Sequence, residues 1–339
     1  MSAEIRYTSP WPVLDARGRP NPGWADEGLF RYDRRAIKTA PWRIKEWDFY
    51  QVSDAEFCLQ FTFGHAAYAG NVGCMLFDFK NGVRWAVPDK LLALPFGSLH
   101  LPASANDDSR LAYRAKGIEM TLETKGGVRE LFAAGPGFEA RVTLLPTTGK
   151  CLSIVVPFSE KPTAFYANQK NNCMAAEGYV AWQAGGKALR HEFRQNAWGI
   201  LDWGRGVWPF SNEWYWSNGA GLINGHPFGF NLGCGFGDTS RATENVLFYG
   251  GARHKLGPVQ FVLDKSNYMA PWRLRDTEGR LDLTLTPWYD RTTRTKLLWV
   301  DNECHQMFGR FTGTAVLDDG TALAVTDLIS FAEHARNNW

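Results

Sequence analysis

Short runs in which apolar and polar residues alternate recur along the whole chain. In residues 56–63, for example, Phe57, Leu59 and Phe61 alternate with polar or small neighbours. A period of two is typical of a strand that buries one face. Turn signals such as Gly126-Gly127 and Asp319-Gly320 separate the runs. The pattern therefore predicts an all-β chain.

The predicted strands fill most of the sequence. They cover residues 47–52, 56–63, 74–79, 118–123, 128–132, 138–144, 152–158, 163–167, 175–182, 228–236, 245–249, 259–263, 281–286, 296–300, 307–314 and 323–331. Helical spacing is confined to residues 88–94 and 184–190, each predicted as a short helix. This argues against a doubly wound α/β fold. It favours two lipocalin-like β-barrel or β-sandwich domains packed together, with few short helices.

Length and composition limit the domain number and the partners. With 339 residues, we expect an N-terminal arm plus a first domain at residues 1–210 and a second at 211–339. The arm is extended and anchored by Trp11 and Trp24. A net charge of +2 with scattered basic residues argues against nucleic acid. Because no apolar run reaches membrane-spanning length and no export signal is visible, we expect a cytoplasmic protein with reduced thiols.

Residues 202–221 combine four tryptophans, two carboxylates, one arginine and several glycines. Trp203, Trp208 and Trp216 offer large apolar faces that can bind a ligand. A carboxyl group desolvated among them would have a raised pKa and could donate a proton. Asp202 and Arg205 have two open interpretations, as catalytic groups or as an ion pair that ties a turn to the barrel.

Glu213 is the preferred proton donor, with Asp202 as the other candidate. If residues 212–216 form a strand, Glu213 and Tyr215 share one face, and Trp214 and Trp216 share the other. A lone carboxylate in an otherwise small, apolar strand makes Glu177 a further catalytic candidate, because such a group needs a partner.

Five more polar residues are candidates for ligand binding at strand ends or within strands. They are His65, Tyr68, Asn231, Glu333 and His334. His65 and Tyr68 could act as an acid or base and an orienting hydroxyl. Each of the five has an ordinary structural interpretation as a polar turn, a charged rim or a partner for backbone groups. The sequence contains no zinc-binding motif, P-loop, dinucleotide fingerprint or nucleophile elbow, so we expect no metal and no cofactor.

Three patches resemble an uncharacterised bacterial family, domain of unknown function 2804. They are Lys45-Glu-Trp-Asp-Phe-Tyr50, then Asp202-Trp-Gly-Arg-Gly-Val-Trp-Pro209 with Trp214-Tyr-Trp216, and finally Asp319-Gly320, Phe331-Ala-Glu-His334 and Trp339. In layout the chain is also similar to double lipocalin-like proteins, which include carotenoid hydratases, tocopherol cyclases and fungal decalin-forming pericyclases. The resemblance implies a fold and an apolar ligand, and it assigns no catalytic residue.

Three functional hypotheses follow. The first is a cofactor-independent enzyme that hydrates, cyclises or isomerises an apolar small molecule by proton transfer. The second is a carrier that binds a lipid or isoprenoid without chemistry, since β-barrels commonly hold one ligand. The third is a carbohydrate-active enzyme, a glycosidase or lyase, with a carboxylate pair and tryptophans stacked on sugar rings.

Overall fold

The computed structural model describes residues 4–66, 69–93, 95, 97–146, 150–297 and 300–338. Within these ranges it contains 24 strands and two 3-10 helices, Arg34–Ala36 and Pro41–Arg43. The strands, in chain order, are β1 (Trp11–Pro12), β2 (Gly23–Ala25), β3 (Phe30–Arg31), β4 (Lys45–Ser53), β5 (Phe57–Ala66), β6 (Ala69–Asp78), β7 (Val83–Ala93), β8 (Ser109–Ala115), β9 (Ile118–Lys125), β10 (Val128–Gly135), β11 (Phe138–Leu145), β12 (Leu152–Pro157), β13 (Phe165–Ala184), β14 (Lys187–Phe193), β15 (Trp198–Val207), β16 (Ser211–Ile223), β17 (His226–Cys234), β18 (Val246–Tyr249), β19 (Ala252–Lys255), β20 (Val259–Val262), β21 (Trp272–Asp276), β22 (Leu281–Leu297), β23 (Val300–Val316) and β24 (Ala322–Asn338). The all-β prediction is confirmed.

Apart from a short parallel pair formed by β1 and β3, the strands form two large antiparallel sheets, each curled into a half-barrel. The first follows the order β7-β6-β5-β4-β15-β13-β11-β10-β9-β8, with β12 and β14 paired to β13, and β2 paired to β12. The second follows the order β19-β18-β17-β16-β24-β23-β22-β21-β20. The chain changes sheet between Val207 and Ser211. The predicted boundary at residue 210 lies in this connection, and the division into two folding domains stays a prediction.

Each sheet curls around an apolar core, and further apolar side chains fill the space between the sheets. Leu201 and Trp203 of β15 belong to the first core, whereas Trp198 and Ile200 of the same strand lie between the sheets. Trp272 lies in the second core. Because successive residues of a strand point to opposite faces, one strand supplies both layers.

Both predicted short helices are wrong. Residues 88–93 lie in β7, residue 94 is outside the described residues, and residues 184–190 span the β13–β14 hairpin. The β6–β7 pairing shifts register so that Pro88 and Asp89 oppose Gly73 alone. A bulge tolerates a proline, which lacks the N–H of a regular ladder. Gly185 and Gly186 have φ of 56° and 75°, the left-handed values that a two-residue hairpin loop requires.

The N-terminal arm runs over both halves of the chain. Its two anchoring indoles, Trp11 and Trp24, are buried, and β2 extends the first sheet by pairing with β12. At its start, the Glu4 carboxylate accepts hydrogen bonds from Thr243 Oγ1 at 2.8 Å and from Lys255 Nζ at 3.2 Å. The arm therefore connects the first sheet to the far end of the second.

Two findings concern the environment of the protein. In the described part of the chain, no helix combines the length and apolar character needed to cross a bilayer. The six cysteines form no disulfide, and four of them are buried. The cytoplasmic location stays a prediction.

The ring of Phe308 is central to the packing between the sheets, so its removal should weaken the whole molecule. Its centre lies 4.6 Å from that of Phe77 in the first sheet and 5.4 Å from that of Phe331 in the second. We expect Phe308→Ala to lower the free energy of unfolding by about 3–5 kcal/mol, measured by urea denaturation. Phe210 is 45% exposed, so Phe210→Ala should change it by less than about 0.5 kcal/mol. Equal losses in both variants would contradict this account.

Candidate functional site

A cavity of about 370 Å³ lies between the two sheets. Seven of its twenty lining residues are aromatic: Trp47, Phe49, Tyr166, Trp208, Trp214, Trp216 and Phe236. The rest of the wall is polar or flexible, formed by Gln60, Thr62, Asn71, Gly73, Met75, Asp89, Lys170, Asp202, Glu244, Arg291, Cys304, Gln306 and Glu333. An aromatic cavity of this size with a few converging polar groups is typical of a small-molecule site.

The first sheet contributes a row of side chains that runs across its strands. Pairing partners along the row are Lys170 of β13, Asp202 of β15, Phe49 of β4, Thr62 of β5 and Gly73 of β6. Residues directly opposite each other in an antiparallel pair point to the same face. The strand register therefore brings residues that are distant in sequence to one wall.

The second sheet contributes a matching row. Its pairing partners are Arg291 of β22, Gln306 of β23, Glu333 of β24 and Trp216 of β16. The two rows face each other across the cavity, and Gln60 Nε2 of the first sheet donates to Gln306 Oε1 of the second at 3.1 Å. The cavity is thus built from both halves of the chain.

Arg291 reaches this wall because β22 contains a bulge. The β22–β23 register shifts between Pro287 and Tyr289. Before the shift, Leu283 and Leu285 point into the second core; after it, Tyr289 packs between the sheets and Arg291 lines the cavity. An extra residue in one strand reverses which side chains face which side. Without it, the register would place Arg291 opposite His305, on the face of β22 that lies inside the second half-barrel.

Lys170 forms the ionic centre of the first row. Its ammonium lies 2.9 Å from Asp202 Oδ1, 3.2 Å from Glu244 Oε2 and 4.5 Å from the centre of the Trp216 ring. Burial opposes the charged form, but the two carboxylates outweigh it and raise the pKa of Lys170. Asn168 Nδ2 also donates to Asp202 Oδ1. Asp202 is therefore a carboxylate held by a cation.

Glu333 has a contrasting environment. Its Oε1 accepts from Trp214 Nε1 at 2.8 Å, and its Oε2 accepts from Gln306 Nε2 at 3.1 Å. No described Lys, Arg or His forms a salt bridge with it. Burial raises the pKa of Glu333, and the charge of Asp202 adds to this. The two hydrogen bonds and the charge of Arg291 only partly offset the rise. Because no described cation pairs with Glu333 at close range, burial has the largest effect and favours the protonated form.

The structure brings some of the sequence-predicted residues to this cavity. Asp202, Trp208, Trp216 and Glu333 line it directly. Asn231 lies behind the wall, where its side chain accepts from Trp216 Nε1 at 2.8 Å. Its amide also donates to Glu244 Oε2, the carboxylate oxygen that holds Lys170.

Arg205, Trp203 and His65 lie on the other side of the first sheet. Asp202 and Arg205 are three positions apart in β15, so they point to opposite faces and do not pair. Arg205 Nη2 instead donates to Asp48 Oδ1 at 2.7 Å, and its guanidinium lies 4.0 Å from the Trp203 ring. His65 Nε2 lies 2.9 Å from Glu46 Oε2. These residues form a buried polar cluster in the first half-barrel.

Glu213 and His334 form a separate cluster in the second half-barrel. As the strand alternation predicts, Glu213 and Tyr215 share the face opposite Trp214 and Trp216. Glu213 Oε1 lies 2.6 Å from His334 Nε2 and 2.8 Å from Lys265 Nζ. Although burial acts against it, these partners lower the pKa of Glu213 to about 2. Glu213 is thus a partly exposed, firmly ionised carboxylate, and neither residue lines the cavity.

The remaining candidates are placed elsewhere. Glu177 is exposed on β13 opposite Thr143 and does not line the cavity. Tyr68, and Trp339 from the family-like patches, lie outside the described residues. Among the described residues, no three His, Cys, Asp or Glu side chains form a cluster that could hold a metal ion.

The sequence analysis missed Lys170, Glu244, Arg291 and Gln306. A signal existed for Lys170, because Tyr166, Asn168 and Lys170 alternate with Phe165, Ala167 and Gln169 in a continuous strand. No local pattern marks Glu244, which lies in a loop beside Gly233. A Cβ added to Gly233 would approach within 2.2 Å of Glu244 Oε1, so that glycine makes room for the carboxylate.

Fold and site together define a β protein of two half-barrels with an aromatic, polar-lined cavity between them. The sequence model of the family described as "Domain of unknown function (DUF2804)" matches residues 4–339, and the chain belongs to this family. A comparison with curated proteins found no match.

Solved structures share the architecture. They include CghA with Sch210972 (TM-score 0.55, 11% identity, 99% of this chain and 96% of that chain), a putative AttH from Nitrosomonas europaea (0.53, 12%, 87% and 92%) and kievitone hydratase from Nectria haematococca (0.54, 10%, 87% and 88%). This similarity confirms the predicted resemblance in layout. At such low identity the similarity shows the fold alone.

The buried cluster around Glu46 should behave as a stabilising element. Its partners His65, Arg205 and Tyr32 overcome burial and lower the pKa of Glu46 from 4.5 to about 2. Because the folded-state pKa is depressed, the stabilisation is present above pH 4.5 and is lost as pH falls towards 2. We expect Glu46→Gln to lower the free energy of unfolding at pH 7 by about 3 kcal/mol.

The measurement is urea denaturation of both proteins across this pH range. The difference between wild type and Glu46→Gln should shrink as the pH falls from 4.5 to 2. Glu130 is exposed, so Glu130→Gln serves as the matched control and should have little effect at any pH. A pH-independent difference for Glu46→Gln would show that the loss does not come from the ionised carboxylate.

Proposed function

We propose that this protein is a cofactor-independent enzyme that hydrates, cyclises or isomerises an apolar small molecule by proton transfer. One observation carries the proposal: two carboxyl groups in a single aromatic cavity have opposite environments. Asp202 is paired with the Lys170 ammonium at 2.9 Å, whereas Glu333 is surrounded by neutral donors and has a raised pKa. Environments that separate two carboxyl groups in this way assign one as acid and the other as base.

In this mechanism Glu333 is the acid. Its proton passes to an unsaturated carbon of the bound molecule and leaves a positive charge on the neighbouring carbon. Aromatic faces stabilise such a cation. Two indoles of the wall region already have ammonium groups over their faces, Lys170 at 4.5 Å from Trp216 and Lys45 at 5.0 Å from Trp208. The cavity thus combines a proton source with a surface suited to the charge that protonation creates.

Asp202 is the base. In hydration it accepts a proton from the water that adds to the cation; in isomerisation it accepts one from a neighbouring carbon. In cyclisation an internal double bond attacks the cation first, and proton loss to Asp202 follows. Exchange with water then returns a proton to Glu333 and removes one from Asp202. Lys170 positions Asp202 and does not itself need to react.

This assignment differs from the preference for Glu213 that the sequence suggested. Glu213 is 43% exposed at its side chain, is paired with Lys265 and His334, and has a pKa of about 2. A group that is ionised throughout the physiological range is a poor proton donor. We therefore propose Glu333 as the donor and give Glu213 a structural role.

The structural relatives support the class of reaction at the level of their printed names. Kievitone hydratase is named as a hydratase, and CghA was solved with Sch210972; both names support a small-molecule enzyme. The substrate of the present chain is not given by these names.

A glycoside-cleaving enzyme is the second candidate, favoured by the presence of two carboxyl groups beside several tryptophans. A carrier remains the third. The proton-transfer enzyme, the glycoside-cleaving enzyme and the carrier differ in where deuterium appears in the product when the reaction is run in D₂O. Proton transfer to carbon creates a stable C–D bond, glycoside cleavage places deuterium only on exchangeable oxygens, and a carrier forms no product.

The first experiment is native mass spectrometry of the purified protein with organic extraction of what co-purifies. Unsaturated molecules of the class found are then incubated with the protein in D₂O. We expect a product with carbon-bound deuterium, and we expect Glu333→Gln to reduce its rate at least about 100-fold, the lower range for loss of a general acid. Glu130→Gln should keep the wild-type rate.

Several results would overturn the assignment. Full turnover in Glu333→Gln together with loss of turnover in Glu213→Gln would move the proton donor to the second half-barrel. Products without carbon-bound deuterium from a sugar library would favour the glycoside-cleaving enzyme. Binding of the extracted molecule without any product would favour the carrier.

A further inference from the structure

Arg291 is the cation of the cavity wall whose hydrogen-bonding capacity the protein hardly uses. Its Nη1 donates to Gln306 Oε1 at 3.3 Å, the one hydrogen bond it makes with a described residue. No described carboxylate forms a salt bridge with it. A guanidinium has five N–H donors in a planar fork that matches a carboxylate. Its Nε is buried without a partner among the described residues.

No described carboxylate of the cavity wall forms a salt bridge with Arg291, and Glu333 and Asp89 act on it only at longer range. The Lys170 ammonium is offset by Asp202 and Glu244, at 2.9 and 3.2 Å. Glu333 is neutral in the protonated form that the proposed mechanism uses. Asp89 is the other carboxylate of the wall, but it is exposed and accepts a hydrogen bond from Asn71. Arg291 is half-buried, so its guanidinium has lost part of its hydration without gaining a close counter-charge, and a bound anion would offset that loss.

From this we infer that the substrate carries a carboxylate, bound by Arg291, while its apolar body lies on the tryptophan wall and its reacting carbon lies at Glu333. The inference rests on the proposed function for the position of the reacting carbon. Arg291 and Glu333 belong to strands separated by one other strand, β23. Two strand spacings amount to about 10 Å, so the carboxylate and the reacting carbon are several bonds apart.

The binding assignment can be tested without knowing the substrate. Suitable probes are 4-phenylbutanoate, 4-phenylbutanamide and 4-phenylbutylamine, which share one apolar body and differ in the polar end. Four tryptophans line the cavity, so quenching of tryptophan fluorescence reports binding. We expect 4-phenylbutanoate to bind about tenfold more tightly than the amide, since a charge-assisted hydrogen bond replaces a neutral one. The amine should bind most weakly.

Arg291→Gln should abolish the preference for the carboxylate while leaving the affinity for the amide nearly unchanged. Arg310 is an exposed arginine on the neighbouring strand β23, so Arg310→Gln is the matched control and should keep the preference. Arg291→Lys, which restores a cation without the fork, should recover part of it. If circular dichroism shows that Arg291→Gln does not fold, the test is whether Arg291→Lys has a weaker preference for 4-phenylbutanoate over the amide than wild type has.

Three outcomes would overturn the inference: equal binding of the carboxylate and the amide by wild type, a preference that persists in Arg291→Gln, or a preference lost instead in Lys170→Gln. Failure here is distinguishable from failure of the proposed function. Glu333→Gln should lose turnover and still prefer 4-phenylbutanoate. If Arg291→Gln still preferred 4-phenylbutanoate to the amide, the inferred substrate carboxylate at Arg291 would be ruled out. The proposed role of Glu333 as the acid would not be affected.

Discussion

The pairing of one buried ammonium group holds the candidate site together. Lys170 is 4% exposed, and a charge so far from water requires close counter-charges. One of them, Asp202, belongs to the first sheet, and the other, Glu244, follows β17 of the second. The pair with Asp202 forms within the first sheet, whereas the pair with Glu244 can form only when both sheets are in place. Lys170 therefore connects the two sheets at the cavity.

The sheets themselves assemble the rest of the site by register. Lys170 and Asp202 meet because β13 and β15 pair, and Gln306 and Glu333 meet because β23 and β24 pair. In an antiparallel sheet, such cross-strand neighbours share a face whatever their distance in sequence. This explains why each half-barrel has a polar cluster of its own, around Glu46 and around Glu213, that stays separate from the cavity. A strand such as β15 contributes to its half-barrel cluster with one face and to the cavity with the other.

This geometry also sets the limit of prediction from the sequence. The two-residue period gave the all-β fold, and the aromatic run identified Trp208, Trp216 and Asp202 as neighbours of a cavity. The period says which residues share a face within one strand, but it does not say which strands pair. Arg205 was therefore associated with Asp202 through proximity in sequence, although β15 directs them to opposite sides. For Lys170 the alternation within β13 indicates a shared face with Tyr166 and Asn168. Neither Lys170 nor Gln306, however, has its charged or hydrogen-bonding partner nearby in sequence, because those partners lie on other strands.

The bulge in β22 has a consequence for how relatives of this chain should be compared. Alternate residues of a strand face the cavity, so whether a residue reaches it depends on its odd or even position along the strand. The extra residue between Pro287 and Tyr289 exchanges the two faces from that point on. In a relative whose strand lacks the extra residue, the cation that faces the cavity would lie one residue closer in sequence to the positions equivalent to Leu283 and Leu285. An alignment without a gap at this point would match that cation to Asp290. Residue correspondence in this family is therefore better derived from strand pairing than from sequence position.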